Sequence, residues 1–325
     1  MGIKLGSIEM KHGICLAPMA GYTDSAMRVV CHNYGAEYSV TEMVSAKAVV
    51  YGDKKTFSLA RIHYDEGPVA VQIFGSEPDI MAEAAYTLSN TLDGMRPVAI
   101  DINMGCPVNK IFSNSEGSAL MKSPELIERI TRAVSGAIKI PATVKIRSGI
   151  NGSSINAVEC ALAAEEGGAS LICIHGRTRE QMYGGVADRE IIKNVKSALQ
   201  IPLIANGDIV DGESALAMLR DTGADGIAVG RGAVGNPFIF SEIIAAIEGI
   251  DYKSPTIEER VSTALLQLRL AVEEKGERIA IPEARKQIAL YLRSFYGAAR
   301  IRAEINRATT YEEVEKALKS ALYNE

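Results

Sequence analysis

Residues 203–232 read LIANGDIVDGESALAMLRDTGADGIAVGRG: a short apolar run ending in Asn206, Gly207 and Asp208, a longer helical pattern, then a second apolar run ending in Gly230, Arg231 and Gly232. Strand, helix and strand in that order make a βαβ unit, whose two strands run parallel. The same alternation fills the first three-quarters of the chain. Further strands are expected at GICLA near Ile14, EYSVTE near Val40, VAVQIF near Val71, VAIDIN near Ile100, ATVKI near Val144 and LICIHG near Ile174. With PLIAN near Ile204 and GIAVG near Ala228 they make eight. Eight parallel strands, each followed by a helix, close into a TIM (β/α)8 barrel of roughly 250 residues, with functional side chains at the C-terminal strand ends. Those ends read APMAGYTD, TEM, QIFG, NMGCP, KIRSG, HGRT, NGD and GRG, far more polar and glycine-rich than plain turns require.

The chain has 325 residues, so a barrel over residues 1–245 leaves room for a smaller domain at residues 255–325. After Pro237 the alternation stops, Asp251 to Pro255 reads as a linker, and the remainder has a purely helical period. Thr256 with Glu259, and Thr310 with Glu313, have capping-box spacing ahead of the apolar stripes Val261, Ala264, Leu265, Leu268 and Val314, Leu318, Leu322. Between them a second helix is expected to put Ala284, Ile288, Tyr291, Leu292 and Phe295 on one face, and a third Ala298, Ile301 and Ile305. Four helices packed together are the simplest arrangement.

The amino terminus, MGIKLGSIEM, has no charged segment leading into an apolar core, and no later apolar run approaches the ~20 residues of a bilayer span, so a soluble, cytoplasmic protein is expected. Five cysteines without a CxxC pair predict free thiols, and four scattered histidines predict no metal site. A net charge of −5 excludes general affinity for polyanions, so any nucleic-acid contact must be local. A monomer is expected.

Glycines at 207, 230 and 232 allow backbone N–H groups to approach a phosphate, and Arg231 can add a charged hydrogen bond. The alternative is ordinary turn glycines. Lys145 ends an apolar strand, where an ammonium needs a bound anion, a flavin edge, or an ion pair with Asp101 or Glu42. Gln72 and Asn103 offer amides that can read ring carbonyls and nitrogens or cap loops. His175, beside Arg177, is either a cofactor contact or a hydrogen-bonded core residue. Cys106 lies between Gly105 and Pro107 after the fourth strand, where a thiol can act as a general acid, whereas Cys160 and Cys173 have neighbours that predict quiet burial.

Taken together, LAPMAGYTD, DINMGCP, VKIRSG, HGRT, ANGDI and GADGIAVGRGA resemble the tRNA-dihydrouridine synthases, in particular the bacterial DusB-like branch, over nearly the whole chain. The resemblance implies FMN held by Pro18, Met19, Ala20, Gln72, Lys145, His175, Asn206, Gly207, Asp208, Gly230 and Arg231. It also implies reduction of the flavin by NADPH, hydride transfer to C6 of uracil in tRNA, and protonation of C5 by Cys106, with Asn103 and Arg177 on the substrate side. Two positions depart from the family pattern: Arg189, where many relatives resemble ADW, and Gln287, where histidine is common.

Between Pro282 and Arg307 six basic residues face two acidic ones, a local charge of +4 in an acidic chain. Lys286 and Arg293 are seven apart, as are Arg300 and Arg307, so each pair can share a helix face; with Arg285 they form the expected tRNA contact. A merely solvated basic face is the bland alternative. Rival functions are an FMN-dependent reductase of a free pyrimidine, resembling dihydroorotate dehydrogenase, a non-catalytic RNA-binding scaffold, and a flavin-free phosphate-binding barrel. The basic helical segment speaks against the first.

Overall fold

The computed structural model describes residues 2–323 apart from 92, 93, 294 and 296. An antiparallel hairpin of β1 (Ile3–Leu5) and β2 (Ile8–Met10) opens the chain. Nine parallel segments follow: β3 (Ile14–Leu16), β4 (Tyr38–Val40), β5 (Val44–Ser45), β6 (Val69–Phe74), β7 (Ala99–Asn103), β8 (Ala142–Arg147), β9 (Leu171–His175), β10 (Leu203–Asn206) and β11 (Gly226–Val229). β11 pairs with β3, and β4 pairs with β6 through Ser39 to Val69 and Val40 to Ala70, which closes an eight-stranded barrel. β5 continues the second barrel strand beyond a break and pairs with β6. All eight expected strands form, in the expected order.

The surrounding helices are α1 (Ser25–Asn33), α2 (Ala46–Val50), α3 (Lys54–Ala60), α4 (Pro78–Thr91), α5 (Asn109–Ser113), α6 (Pro124–Ala137), α7 (Ala157–Glu166), α8 (Arg189–Ala198), α9 (Gly212–Thr222) and α10 (Ile239–Glu248). Side chains alternate along each strand. Val144 and Ile146 are therefore buried under the helix layer, while Cys15, Tyr38, Ala70, Ala99, Leu171, Cys173, Ile204 and Ala228 fill the barrel interior. The hairpin's Ile3, Leu5 and Met10 join that interior cluster and plug the N-terminal end. Its short strands gave no periodic signal, and only the hydrophobic interior behind them makes them a plug.

Residues 251–256 form no regular element, and four helices follow: α11 (Ile257–Lys275), α12 (Glu277–Ile288), α13 (Ala298–Arg307) and α14 (Tyr311–Lys319). Both capping boxes form, Thr256 with Glu259 and Thr310 with Glu313. α12 is shorter than the expected apolar face requires. It ends at Ile288, and the chain continues through three-residue turns in which Tyr291 N–H donates to Ile288 O (3.2 Å) and Arg293 N–H to Leu290 O (3.1 Å). The cause is docking: Leu290 lies so close to Gly235 of the barrel that a Cβ there would come within 2.5 Å of it, and the Tyr291 hydroxyl is drawn onto Gln267 Oε1 (2.6 Å). Tyr291 and Leu292 are still fully buried.

These helices rest on α1 and on Phe238, whose ring meets Tyr34 edge-on at 4.5 Å. Lys275 Nζ pairs with Asp24 (2.8 Å), and the two family departures serve structure: buried Gln287 donates to Tyr22 O (3.2 Å), and Arg189 pairs with Asp221 (2.6 Å) on the barrel's outside. No helix among the described residues is long and apolar enough to cross a membrane.

Candidate active site at the C-terminal strand ends

Strand register explains why polar side chains converge. Gln72 lies opposite Asp101, Asn103 opposite Lys145, Arg147 opposite His175, and His175 opposite Asn206. All of these face inward, and Gln72, Asn103, Lys145, Arg147, His175 and Asn206 line one cleft of about 880 Å³ at the C-terminal ends of the strands, with Asp101 one layer deeper in the barrel. Every residue expected to hold a cofactor lines this cleft: Pro18, Met19, Ala20, Gln72, Lys145, His175, Asn206, Gly207, Asp208, Gly230 and Arg231. Cys106, Asn103, Arg177 and Arg293 line it too.

Lys145 forms neither of the ion pairs considered above. Its Nζ donates to Asn206 Oδ1 (3.1 Å), Asp101 is occupied by Gln72 and Thr143, and Glu42 accepts the Gly21 N–H (2.8 Å). An ammonium has three donors, so two remain for a ligand. The surroundings are strongly positive. Burial, reinforced by Lys145, Arg147, Arg177 and Arg231, pushes the His175 imidazole down to about 2, so it stays neutral. The Arg177 guanidinium lies 3.3 Å from His175 Nε2; since it only donates, it leaves Nε2 the acceptor and the ring proton on Nδ1.

The two glycine loops, at residues 206–208 and 230–232, lie at the mouth of the cleft. Asp208 adopts φ +53° beside Gly207 at φ +127°, a left-handed pair that presents successive backbone N–H groups. A Cβ at Gly207 would approach Ala187 Cβ to 2.6 Å, so only glycine fits. The Asp208 carboxylate itself turns away, accepting from Arg177 (2.7 Å) and from Ala187 N–H (2.7 Å). Burial raises this carboxyl, but Ala187 N–H, Arg177 and Arg231 outweigh it and hold it below the usual range. Asp208 thus offers an anion its backbone, not its side chain.

Arg177 is equally committed: it donates to Gly184 O (2.9 Å), Gly185 O (2.7 Å) and Asp208, so it fixes the 184–185 loop beside the cleft. Arg285 does not reach the cleft, because its guanidinium is drawn onto Ala308 O, the carbonyl left open where α13 ends. Lys286 stands at the rim with its Nζ 4.5 Å over the Tyr22 ring. Lys286 and Arg293 are not two turns apart on one helix, since α12 stops between them; the turns after Ile288 bring Arg293 to the cleft instead.

One buried group, Arg147, escaped the residue-by-residue reading, and a second, Asp101, was considered only as an ion-pair partner of Lys145. Arg147 donates to Gly105 O (2.8 Å), Thr178 O (2.9 Å) and Met182 O (3.0 Å), and burial lowers its guanidinium to about 10. Asp101 holds Gln72. Period two would have found both, since Asp101 and Asn103, like Lys145 and Arg147, are two apart on inward faces.

Cys106 is 8% exposed at the cleft edge. Its N–H donates to Asn103 Oδ1 (2.9 Å) and its carbonyl accepts the Ser118 hydroxyl (2.8 Å). Burial pushes the thiol up, against smaller lowering effects of the Val108 N–H and Arg147. It therefore carries its proton at neutral pH, while the other four cysteines lie away from this cleft.

A closed eight-stranded barrel whose strand ends converge on a cation-rich cleft, with a protonated thiol at its edge, is a TIM barrel carrying its candidate site at the C-terminal face. Fold comparison agrees: the old yellow enzyme homologue of Zymomonas mobilis superposes with a TM-score of 0.55 at 13% identity, over 80% of this chain and 95% of its own. The family model described as Dihydrouridine synthase (Dus) matches residues 15–325. The probable tRNA-dihydrouridine synthase of Rickettsia conorii is 39% identical over 94% of this chain and 91% of its own length. The tRNA-dihydrouridine synthase B of Vibrio vulnificus is 39% identical over 94% of each. The chain belongs to the dihydrouridine synthase family.

Proposed function

We propose that this protein is a flavin-dependent tRNA-dihydrouridine synthase, reducing the C5–C6 double bond of D-loop uridine to 5,6-dihydrouridine with FMN in the cleft and NADPH as electron source. The observation that carries the reading is the Cys106 thiol, kept protonated at the edge of a cleft lined by Lys145, Arg147, Arg177 and Arg231. The cleft volume lies within the roughly 300–1,000 Å³ typical of ligand sites. The free donors of Lys145, the neutral His175 and the 207–208 and 230–231 loops suit an anionic, ring-bearing cofactor, so the residues present fit FMN.

Pro18, Met19 and Ala20, with Gln72, Lys145 and His175, hold the ring, and the two glycine loops with Arg231 hold the phosphate. FMN held there and reduced by NADPH would supply the hydride for C6 of the uracil. Cys106 holds the single proton that balances the hydride at Sγ and would release it to C5, quenching the enolate-like charge that builds on the uracil ring and leaving the thiolate to be reprotonated from water. Asn103 keeps one Nδ2–H beyond its bond to Gln72 Oε1 (2.8 Å), available to a uracil carbonyl. The uridine must leave its stack to reach this depth.

The barrel, residues 1–245, carries the chemistry, and the helical segment, residues 255–325, grips the tRNA, with Lys286 and Arg293 beside the cleft mouth. Each of Lys286→Ala and Arg293→Ala is expected to weaken tRNA binding and to reduce the log–log salt slope by about one; filter binding across a salt series measures it. Lys145→Met is expected to weaken FMN binding about tenfold, the loss of one charge-assisted hydrogen bond, read by flavin fluorescence titration. The reaction is tested by incubating purified protein with NADPH and tRNA from cells lacking dihydrouridine. Dihydrouridine in the nucleoside mass spectrum supports the assignment; its absence from an FMN-loaded preparation moves it to a free-pyrimidine reductase.

A further inference from the structure

We propose that Asp101 is a positioning residue for the proton donor, acting through Gln72 and Asn103 to fix the backbone of Cys106. The proposal rests on reading Cys106 as the acid. Asp101 is 3% exposed in the barrel interior and does not touch the Cys106 loop. A chain of side chains joins them. Gln72 Nε2 donates to Asp101 Oδ2 (2.7 Å), Asn103 Nδ2 donates to Gln72 Oε1 (2.8 Å), and Asn103 Oδ1 accepts from Cys106 N–H (2.9 Å) and Gly105 N–H (3.2 Å).

The polarity of this chain is dictated from both ends. Backbone N–H groups can only donate, so Asn103 must turn its oxygen to Cys106 and its nitrogen to Gln72. Gln72 must then present its oxygen to Asn103 and its nitrogen to Asp101 Oδ2, a carboxyl oxygen that accepts it; burial raises the Asp101 carboxyl, and the bonds from Gln72 and Thr143 and the nearby Lys145 work against that rise. Reversing either amide would set donor against donor at one end. The second carboxyl oxygen accepts the Thr143 hydroxyl, and Lys145, whose Nζ donates to Asn206, acts on it only through space. A buried carboxylate is costly unless its acceptors are filled, and packing alone would be served better by an apolar side chain. What this one provides is a single orientation for two amides that line the cleft. Through Asn103 it sets where the Cys106 main chain, and so Sγ, sits.

The test uses the FMN-loaded protein and the alkylation rate of each cysteine by iodoacetamide, resolved by peptide mass spectrometry. Cys31 and Cys160 are fully buried in α1 and α7, apart from Asp101, so they report general loosening, whereas Cys15 and Cys173 share a small cavity with Asp101 and are left out of the comparison. Asp101→Ala is expected to speed alkylation at Cys106 about fivefold, the worth of one net hydrogen bond, and to leave Cys31 and Cys160 unchanged. Asp101→Asn, which keeps a carbonyl oxygen for Gln72, is expected to restore most of the native rate. Added to Asn103→Ala, the Asp101→Ala change should do nothing further, because the chain is already cut. Gln72→Met removes the middle link and serves if Asp101→Ala does not fold. Cys31 and Cys160 accelerating along with Cys106, full additivity with Asn103→Ala, or an unchanged Cys106 rate would each overturn the proposal. Wild-type protein that makes no dihydrouridine yet shows this alkylation pattern would sink the functional reading and leave the relay standing.

Discussion

Replacing Cys106 with alanine is expected to lower dihydrouridine formation by about 10²–10⁴-fold, the usual contribution of a positioned general acid, while FMN binding and NADPH oxidation persist. The separation follows from geometry: the cofactor-facing groups Lys145, His175 and the glycine loops do not depend on the thiol, whose loop is held by Asn103, Ser118 and Arg147. Single-turnover assays that follow flavin reoxidation by tRNA measure the effect, and undiminished product from the variant would remove Cys106 from the mechanism. The pH dependence carries the same signature. The working form is the protonated thiol, and burial raises its pKa, so the range in which it is protonated extends upward. Product formation is expected to hold through neutral pH and to fall only at alkaline pH, in wild type and not in the residual rate of Cys106→Ala.

Glu66→Gln is expected to cost about 3–5 kcal/mol, because it strands a buried guanidinium. Arg28 and Glu66 are 2% and 1% exposed, and their ion pair is closed by further bonds from Ser25 Oγ (2.7 Å) and His63 N–H (2.7 Å) to Glu66. Arg28 also donates to Thr23 O (2.6 Å), the end of the loop that starts at Pro18, and its helix α1 is the one on which α11 rests. The melting temperature should fall by roughly 10 °C, and the double change Arg28→Met with Glu66→Leu should recover much of it, since the stranded charge is then gone. An unchanged melting temperature in Glu66→Gln would show that the pair contributes nothing to stability.

Much of the site was legible because barrel strands are short and their ends are functional: Lys145, His175 and Asn206 are single polar residues closing apolar runs, and each lands in the cleft. Arg147 was passed over because it was read as part of a motif and not by its face, and Asp101 was matched to Lys145 although its partners are Gln72 and Thr143. Arg285 was misplaced for a different reason. Local charge says only that a cation is near the surface; where its guanidinium goes was decided by the open carbonyl of Ala308, 23 residues away. Lys286 and Arg293 reached the cleft mouth although the helical spacing that grouped them does not exist.

By itself the sequence determined eight strands, their parallel order, the helical segment after them and the thiol in its loop, because hydrophobic period and turn chemistry are local properties. Only the tertiary structure decided the rest. The closure of the barrel by β4 on β6, the hairpin that plugs its base, the end of α12 against Gly235 and the line of amides from Asp101 to Cys106 all depend on groups distant in sequence meeting at a few ångströms. Register and close packing set those meetings, and neither is written in any one segment.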